Sequence, residues 1–202
     1  MPYPDRFYPV VDSVAWVARL ALLGVGTIQL RAKNLSAADA LQTVKDAIEV
    51  IRGTNAKLVV NDYWRAAIEA GAKHLHLGQE DLADADVPAI RAAGLTLGIS
   101  THDDAELETA LAAQPDYVAL GPIFPTTLKS MRFAPQGIPK IIEWKKRTGS
   151  IPLVAIGGIK LEQAPEIFAA GADSIAVVSD VTQNADPDKR VKQWLGQCAK
   201  AA

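Results

Sequence analysis

One cysteine, Cys198, is all the sequence contains. No disulfide can form within the chain, and a lone thiol of this kind reads as inert. No His/Cys spacing of the zinc type is present, nor any pattern pairing a nucleophile with a base. Apolar runs are short, and none approaches the roughly 20 residues that span a membrane. Residues 1–6 lack the apolar core of a signal peptide. Charge of one sign is missing too. The formal net charge is -2, which argues against the basic surface that nucleic acid requires. It leaves room for a local cluster of cations facing a small anion. The expectation is a cytoplasmic protein with small-molecule partners, no nucleic acid and no membrane. A homo-oligomer is left open.

What is present is an alternation. Hydrophobic residues make up 49% of the 202 residues, enough for a sizeable core. Short apolar runs at 7–11, 27–31, 57–61, 74–77, 96–100, 117–120, 153–156 and 174–178 read as strands of a parallel sheet. Amphipathic stretches lie between them. Ser36 suits the N-cap of a helix over 36–51, with Asp39 in its first turn. Gly24, Gly71, Gly94 and Gly171 each follow a helical run, where a left-handed C-cap wants glycine. Eight βα units in one domain, 1–202, predict a (β/α)8 TIM barrel of the α/β class. An open doubly wound sheet usually carries a glycine-rich turn after its first strand, and Val11-Asp12-Ser13 has none. Residues 126–139 form the longest connection without a periodic pattern and read as a candidate lid.

In such a barrel the chemistry sits where strands end. Gln29, Arg31 and Lys33 alternate with Ile28 and Leu30, so the polar set shares one face. Two cations there are costly to desolvate unless an anion meets them. Asn61-Asp62 ends the third strand, and Asp81 lies just beyond the fourth. Two carboxylates at neighbouring strand ends suit Mg2+, which completes its shell from water and substrate phosphate. Each is equally a candidate helix N-cap. Ser100 could bond a heterocycle or cap the next helix. Lys129, on a proline-stiffened loop, could reach an anion above the barrel. Gly157-Gly158 and Val178-Ser179 follow strands seven and eight, where backbone N–H groups often bind phosphate. His74 and His76 share a face of the fourth strand and read as structural.

Taken together, these segments resemble the thiamine phosphate synthase family over nearly the whole chain. The match rests on Gln29 to Lys33, Asn61-Asp62, His76 to Asp81, Gly98 to Ser100, Gly121 to Thr126, Lys129, Ala155 to Ile159 and Val178-Ser179. The resemblance implies a Mg2+-dependent transferase that joins a pyrimidine diphosphate to a thiazole phosphate. It implies that Gln29, Arg31, Lys33, Asn61, Ser100 and Lys129 hold the pyrimidine diphosphate, with Lys129, Arg31 and Ser100 catalytic. Asp62 and Asp81 would bind Mg2+. Thr126, Gly158, Val178 and Ser179 would hold the thiazole phosphate. One position departs from the family: Leu128 stands where a second threonine is usual, and Thr127 is a candidate to compensate. A thiazole tautomerase would share the fold and the phosphate loops but needs neither metal nor diphosphate clamp. A thiamine phosphate sensor would not need both carboxylates.

Overall fold

Parallel pairing of short apolar strands, each followed by a helix, determines the architecture. In the computed structural model, which describes residues 3–126 and 133–200, the strands are β1 (Phe7–Val11), β2 (Thr27–Leu30), β3 (Lys57–Asn61), β4 (His74–Leu77), β5 (Thr96–Thr101), β6 (Tyr117–Leu120), β7 (Leu153–Ile156) and β8 (Ser174–Val177). Each pairs in parallel with the next, and β8 returns to β1 through Phe7↔Ile175, Tyr8↔Ala176 and Pro9↔Val177. The sheet therefore closes and has no edge to protect. This is the (β/α)8 barrel the sequence predicts.

Three strand ends move by one residue from the sequence expectation. β2 stops at Leu30, although Arg31 still donates its backbone N–H to Val11 at 2.7 Å. β5 runs on to Thr101, whose hydroxyl is held by the Ala119 carbonyl. β8 stops at Val177, because the backbone of Val178 (φ -121°, ψ -82°) turns the chain into the helix Ser179–Thr182. Of the connection 126–139, residues 137–139 already belong to the helix Gly137–Thr148, and residues 127–132 of the candidate lid lie outside the described residues.

Period-two alternation sorts the strand residues into two cores. Ile28, Leu30, Leu58, Val60, Leu75 and Leu77 face outward and are buried under the helices. Tyr8, Val10, Val59, Tyr117, Ala119, Val154 and Ala176 face inward and fill the barrel. The helix punctuation is as expected. Ser36 caps Ala37–Val50 by accepting from Asp39 N at 3.1 Å. Gly24, Gly71, Gly94 and Gly171 all carry positive φ.

The helix Pro187–Lys200 folds back over the start of the chain. Trp194 stacks on Phe7 with ring centroids 5.4 Å apart, and its Nε1 donates to Asp180 at 2.7 Å. Arg190 grips the same carboxylate through two nitrogens at 2.8 and 2.9 Å. Cys198 is buried on this helix, and burial pushes its thiol up to about 11, consistent with an inert residue. Among the described residues, no helix is long and apolar enough to cross a membrane.

Candidate active site

The C-terminal ends of the strands surround a cavity of about 340 Å³. Gln29, Arg31, Asn61, Ser100, Thr126, Gly158, Val178 and Ser179 all line it. Residues spread from position 29 to position 179 thus converge because the barrel brings successive strand ends together. Gln29 points inward and is only 4% exposed, while its neighbours Ile28 and Leu30 pack under the helices. Asn61 ends β3 and is also 4% exposed. Its Nδ2 is buried without a hydrogen-bond partner among the described residues. A buried donor left unpaired is costly unless a ligand completes it.

The capping alternatives are decided by the helix starts. The helix Trp64–Ala70 begins at Tyr63, and the helix Gln79–Ala83 begins at Gly78, both without a side-chain cap. Neither Asp62 nor Asp81 is used as an N-cap. Asp103, not Ser100, caps the helix Asp104–Ala112. Ser100 is left facing the cavity, with its Oγ 2.8 Å from His76 Nε2.

Asp62 sits at φ 64° immediately after β3, a left-handed position, and Asp62, Asp81 and Lys33 are not among the residues that line the cavity. Its carboxyl and that of Asp81 are within hydrogen-bonding reach of each other. Lys33 Nζ lies 2.5 Å from Asp62 Oδ2. The two carboxyls are pushed in opposite directions. Burial would raise Asp62, but the Lys33 ammonium overcomes it and holds the group below the ordinary carboxylate range. Burial and the facing Asp62 charge both raise Asp81. Two hard oxygen donors that repel each other, with an ammonium drawn in against one, fit a divalent cation, which would replace both proton and ammonium. Among the described residues no cluster of three or more His, Cys, Asp or Glu side chains could hold a metal. A pair is the number that Mg2+ typically takes from protein.

Across the mouth, the turn after β7 brings Gly158 under the loop from β6. Its φ is 68°, and a Cβ there would lie 2.5 Å from the Pro125 carbonyl oxygen and 2.7 Å from that of Phe124. Only glycine fits. Beyond β8, Val178 leads into a one-turn helix that starts at Ser179, and Val178, Ser179 and Thr182 line the cavity from this side. Lys129, Leu128 and Thr127 lie outside the described residues.

The sequence reading did not single out Tyr8, Tyr117 or His102 as site neighbours, and it took His76 as structural. His102 lines the cavity, bonds Glu106 at 2.7 Å and stacks on Phe133. Both strand histidines are satisfied: His74 by Thr96 at 2.8 Å, His76 by Tyr117 and Ser100. His76, however, also lines the cavity. Burial pushes its pKa down to about 4, against a weaker pull upward from Asp62. An unfolded chain binds this proton as pH falls through about 6.5, whereas the folded protein resists until about 4. The stability His76 contributes is therefore complete above pH 6.5 and is lost on acidification toward 4. The slope approaches about 1.4 kcal/mol per pH unit, or about 2 kcal/mol between pH 6.5 and 5. His74, pushed down to about 4 by burial and then by Lys57, adds in the same direction. Denaturant titrations at pH 7.5 and 5 measure the difference, and equal stabilities would show that neither imidazole is held neutral.

Comparison with known proteins agrees with this geometry. Residues 7–181 match the family model described as thiamine monophosphate synthase. A thiamine-phosphate synthase of Rhizobium etli is 53% identical over 195 residues, covering 96% of each chain. One of Escherichia coli strain K12 is 52% identical over 186 residues, covering 92% of this chain and 88% of the relative. Among solved structures, a thiamine phosphate pyrophosphorylase from Pyrococcus furiosus superposes with a TM-score of 0.83 at 27% identity, covering 97% of this chain and 96% of the other.

Proposed function

The chain belongs to the thiamine monophosphate synthase family, and from that premise we propose how the barrel mouth divides its labour. The reaction joins 4-amino-2-methyl-5-hydroxymethylpyrimidine diphosphate to 4-methyl-5-(2-hydroxyethyl)thiazole phosphate and gives thiamine phosphate and diphosphate. The observation that carries the assignment is one cavity with two unlike walls. Arg31 lines it near Asn61, with Lys33 and the two carboxylates beside them, while Gly158, Val178 and Ser179 line the other side with backbone.

On this reading Gln29, Asn61 and Ser100 hold the pyrimidine ring, and Arg31, Lys33 and Lys129 hold its diphosphate. Thr126, Gly158, Val178 and Ser179 receive the thiazole phosphate. Asp62 and Asp81 would hold Mg2+, which when bound neutralises charge on the diphosphate.

On this reading the chemistry is a displacement between the two substrates. The methylene C–O bond breaks, and its electron pair leaves with the diphosphate. The aminopyrimidine ring delocalises the resulting positive charge. The thiazole nitrogen then donates its lone pair to the methylene carbon and forms the C–N bond. Arg31, Lys33 and Lys129 stabilise the departing charge, and the cavity walls set the nitrogen against the carbon.

The test is direct. Protein incubated with both substrates and Mg2+ is expected to form thiamine phosphate and diphosphate in equal amounts, and EDTA is expected to stop it. Product formation undiminished by EDTA would remove the metal assignment. No product with either substrate order would remove the reaction.

A further inference from the structure

The barrel interior below the cavity holds an unbroken file of hydrogen bonds that links two of its walls. Gln29 Nε2 donates to Tyr8 Oη at 2.7 Å. The Tyr8 and Tyr117 hydroxyls meet at 2.8 Å. Tyr117 Oη lies 2.9 Å from His76 Nδ1, and His76 Nε2 lies 2.8 Å from Ser100 Oγ. The residues come from β1, β2, β4, β5 and β6. Tyr8, Gln29, His76 and Tyr117 are all 5% exposed or less, whereas Ser100 is half-buried. Both ends of the file, Gln29 and Ser100, line the cavity. Tyr117 can lie where it does because residue 98 is glycine: a Cβ there would stand 1.9 Å from the tyrosine ring.

Proton counting gives the file a direction. A phenol has one proton to donate. Tyr8 accepts from Gln29, and if Tyr117 also donated to it the buried Tyr8 proton would have no partner among the described residues, so the arrangement that pairs every hydroxyl proton sends the Tyr8 proton to Tyr117. The Tyr117 proton then goes to His76 Nδ1. A neutral imidazole has one N–H, which must now be on Nε2, donating to Ser100 Oγ. The Ser100 proton is unused within the file and is available to the cavity. At the other end Gln29 has spent an amide N–H inward, which leaves Oε1 as its cavity-side acceptor.

We infer that Tyr8, Tyr117 and His76 are positioning residues that fix the hydrogen-bonding polarity of the ring-binding walls, Ser100 as donor and Gln29 as acceptor. That polarity selects a 4-aminopyrimidine. Its exocyclic N–H can donate to Gln29 Oε1, and its ring nitrogen can accept from Ser100. A 4-oxopyrimidine presents the reverse, N–H at the ring and C=O outside it. To bind it in the same pose, the protein must leave the Ser100 proton unpaired or turn the file around together with the His76 tautomer, and Gln29 must offer its second amide N–H in place of Oε1. A specificity-determining role thus falls to Tyr8 and Tyr117, which do not line the cavity, acting through His76, which does. The inference rests on the reading of this wall as the pyrimidine subsite.

Two measurements test it. In 15N NMR of the folded wild-type protein, His76 is expected as the neutral Nε2–H tautomer with Nδ1 unprotonated. The Nδ1–H tautomer overturns the inference, whatever the substrate. The second measurement compares the pyrimidine diphosphate with its 4-oxo analogue in wild type and Tyr117→Phe. The phenylalanine ring keeps its place over Gly98 but interrupts the file at its centre. The preference for the amino substrate is expected to shrink about tenfold, the worth of roughly one neutral hydrogen bond. KM for the thiazole phosphate is expected to stay unchanged, and the His76 tautomer to become mixed. An undiminished preference in a folded Tyr117→Phe protein overturns the inference. Should that variant fail to fold, the wild-type tautomer decides. Wild-type protein that makes no thiamine phosphate would sink the subsite reading, and the tautomer would still decide whether the file is polarised.

Discussion

Asp81→Ala is expected to lower turnover by roughly 10²–10³-fold, the scale of removing one group that stabilises transferring charge, while leaving the melting temperature nearly unchanged. The two effects separate because of what Asp81 does in the fold. It caps no helix, since the helix Gln79–Ala83 starts at Gly78 without a side-chain bond. Its main neighbour is another carboxyl, and burial and that neighbour's charge both push it upward. Removing it relieves repulsion instead of breaking an attraction. Asp62→Ala should behave alike in turnover but cost slightly more stability, because it releases Lys33 from a partly exposed ion pair of the kind worth about 1 kcal/mol or less. Steady-state rates beside thermal denaturation make the comparison, and EDTA on wild type should reproduce the loss. A drop in rate that merely follows a drop in melting temperature would return both residues to a structural role.

Gly158→Ala should be as severe, and selective for the other substrate. The residue sits at φ 68°, where an L side chain costs roughly 1–2 kcal/mol. Its Cβ would also press on two backbone carbonyls, those of Phe124 and Pro125, at 2.7 and 2.5 Å. Backbone cannot swing aside as a flexible side chain can, so one of the two loops must move, at a further cost of roughly 1–3 kcal/mol. Both loops line the thiazole phosphate side. KM for the thiazole phosphate is expected to rise roughly a hundredfold, corresponding to about 3 kcal/mol, with the pyrimidine diphosphate little affected. Equal losses for both substrates would mean that the loop shift spreads through the whole mouth, and the division into two sides would fail.

The barrel was legible because its signals are local. Short β-branched runs, glycines at helix ends and Ser36 before a helical stretch each act within a few residues, and all appear as read. The cavity lining was legible where polar residues break an apolar strand pattern, as at Gln29 and Asn61. What stayed hidden depends on register. Tyr8 and Tyr117 are 109 positions apart and look like ordinary core aromatics until β1 and β6 close around one axis. His76 was visible as a polar residue in an apolar strand, but its partners come from β5 and β6, and nothing local to β4 announces them. The strand ends shift by one residue for separate reasons: at Arg31 the alternation and one ladder bond run on past Leu30, and at Val178 the apolar run continues where the backbone turns away.

The closure of the barrel also bears on how the protein is made. β1, the first strand synthesised, has β8 as one of its two neighbours. The turn at Ser179, proposed to hold the thiazole phosphate, is anchored through the adjacent Asp180 to Arg190 and Trp194 on the helix Pro187–Lys200. A ribosome-bound chain lacking that helix would therefore keep Arg31, Lys33, Asp62 and Asp81, yet have no clamp on the turn at Ser179. Phe7 would wait, uncovered, for Trp194. On the proposed division of the mouth, the diphosphate wall thus precedes along the chain the helix that braces the opposite wall, and the cup for the second reactant waits on Asp180 meeting Arg190 and Trp194.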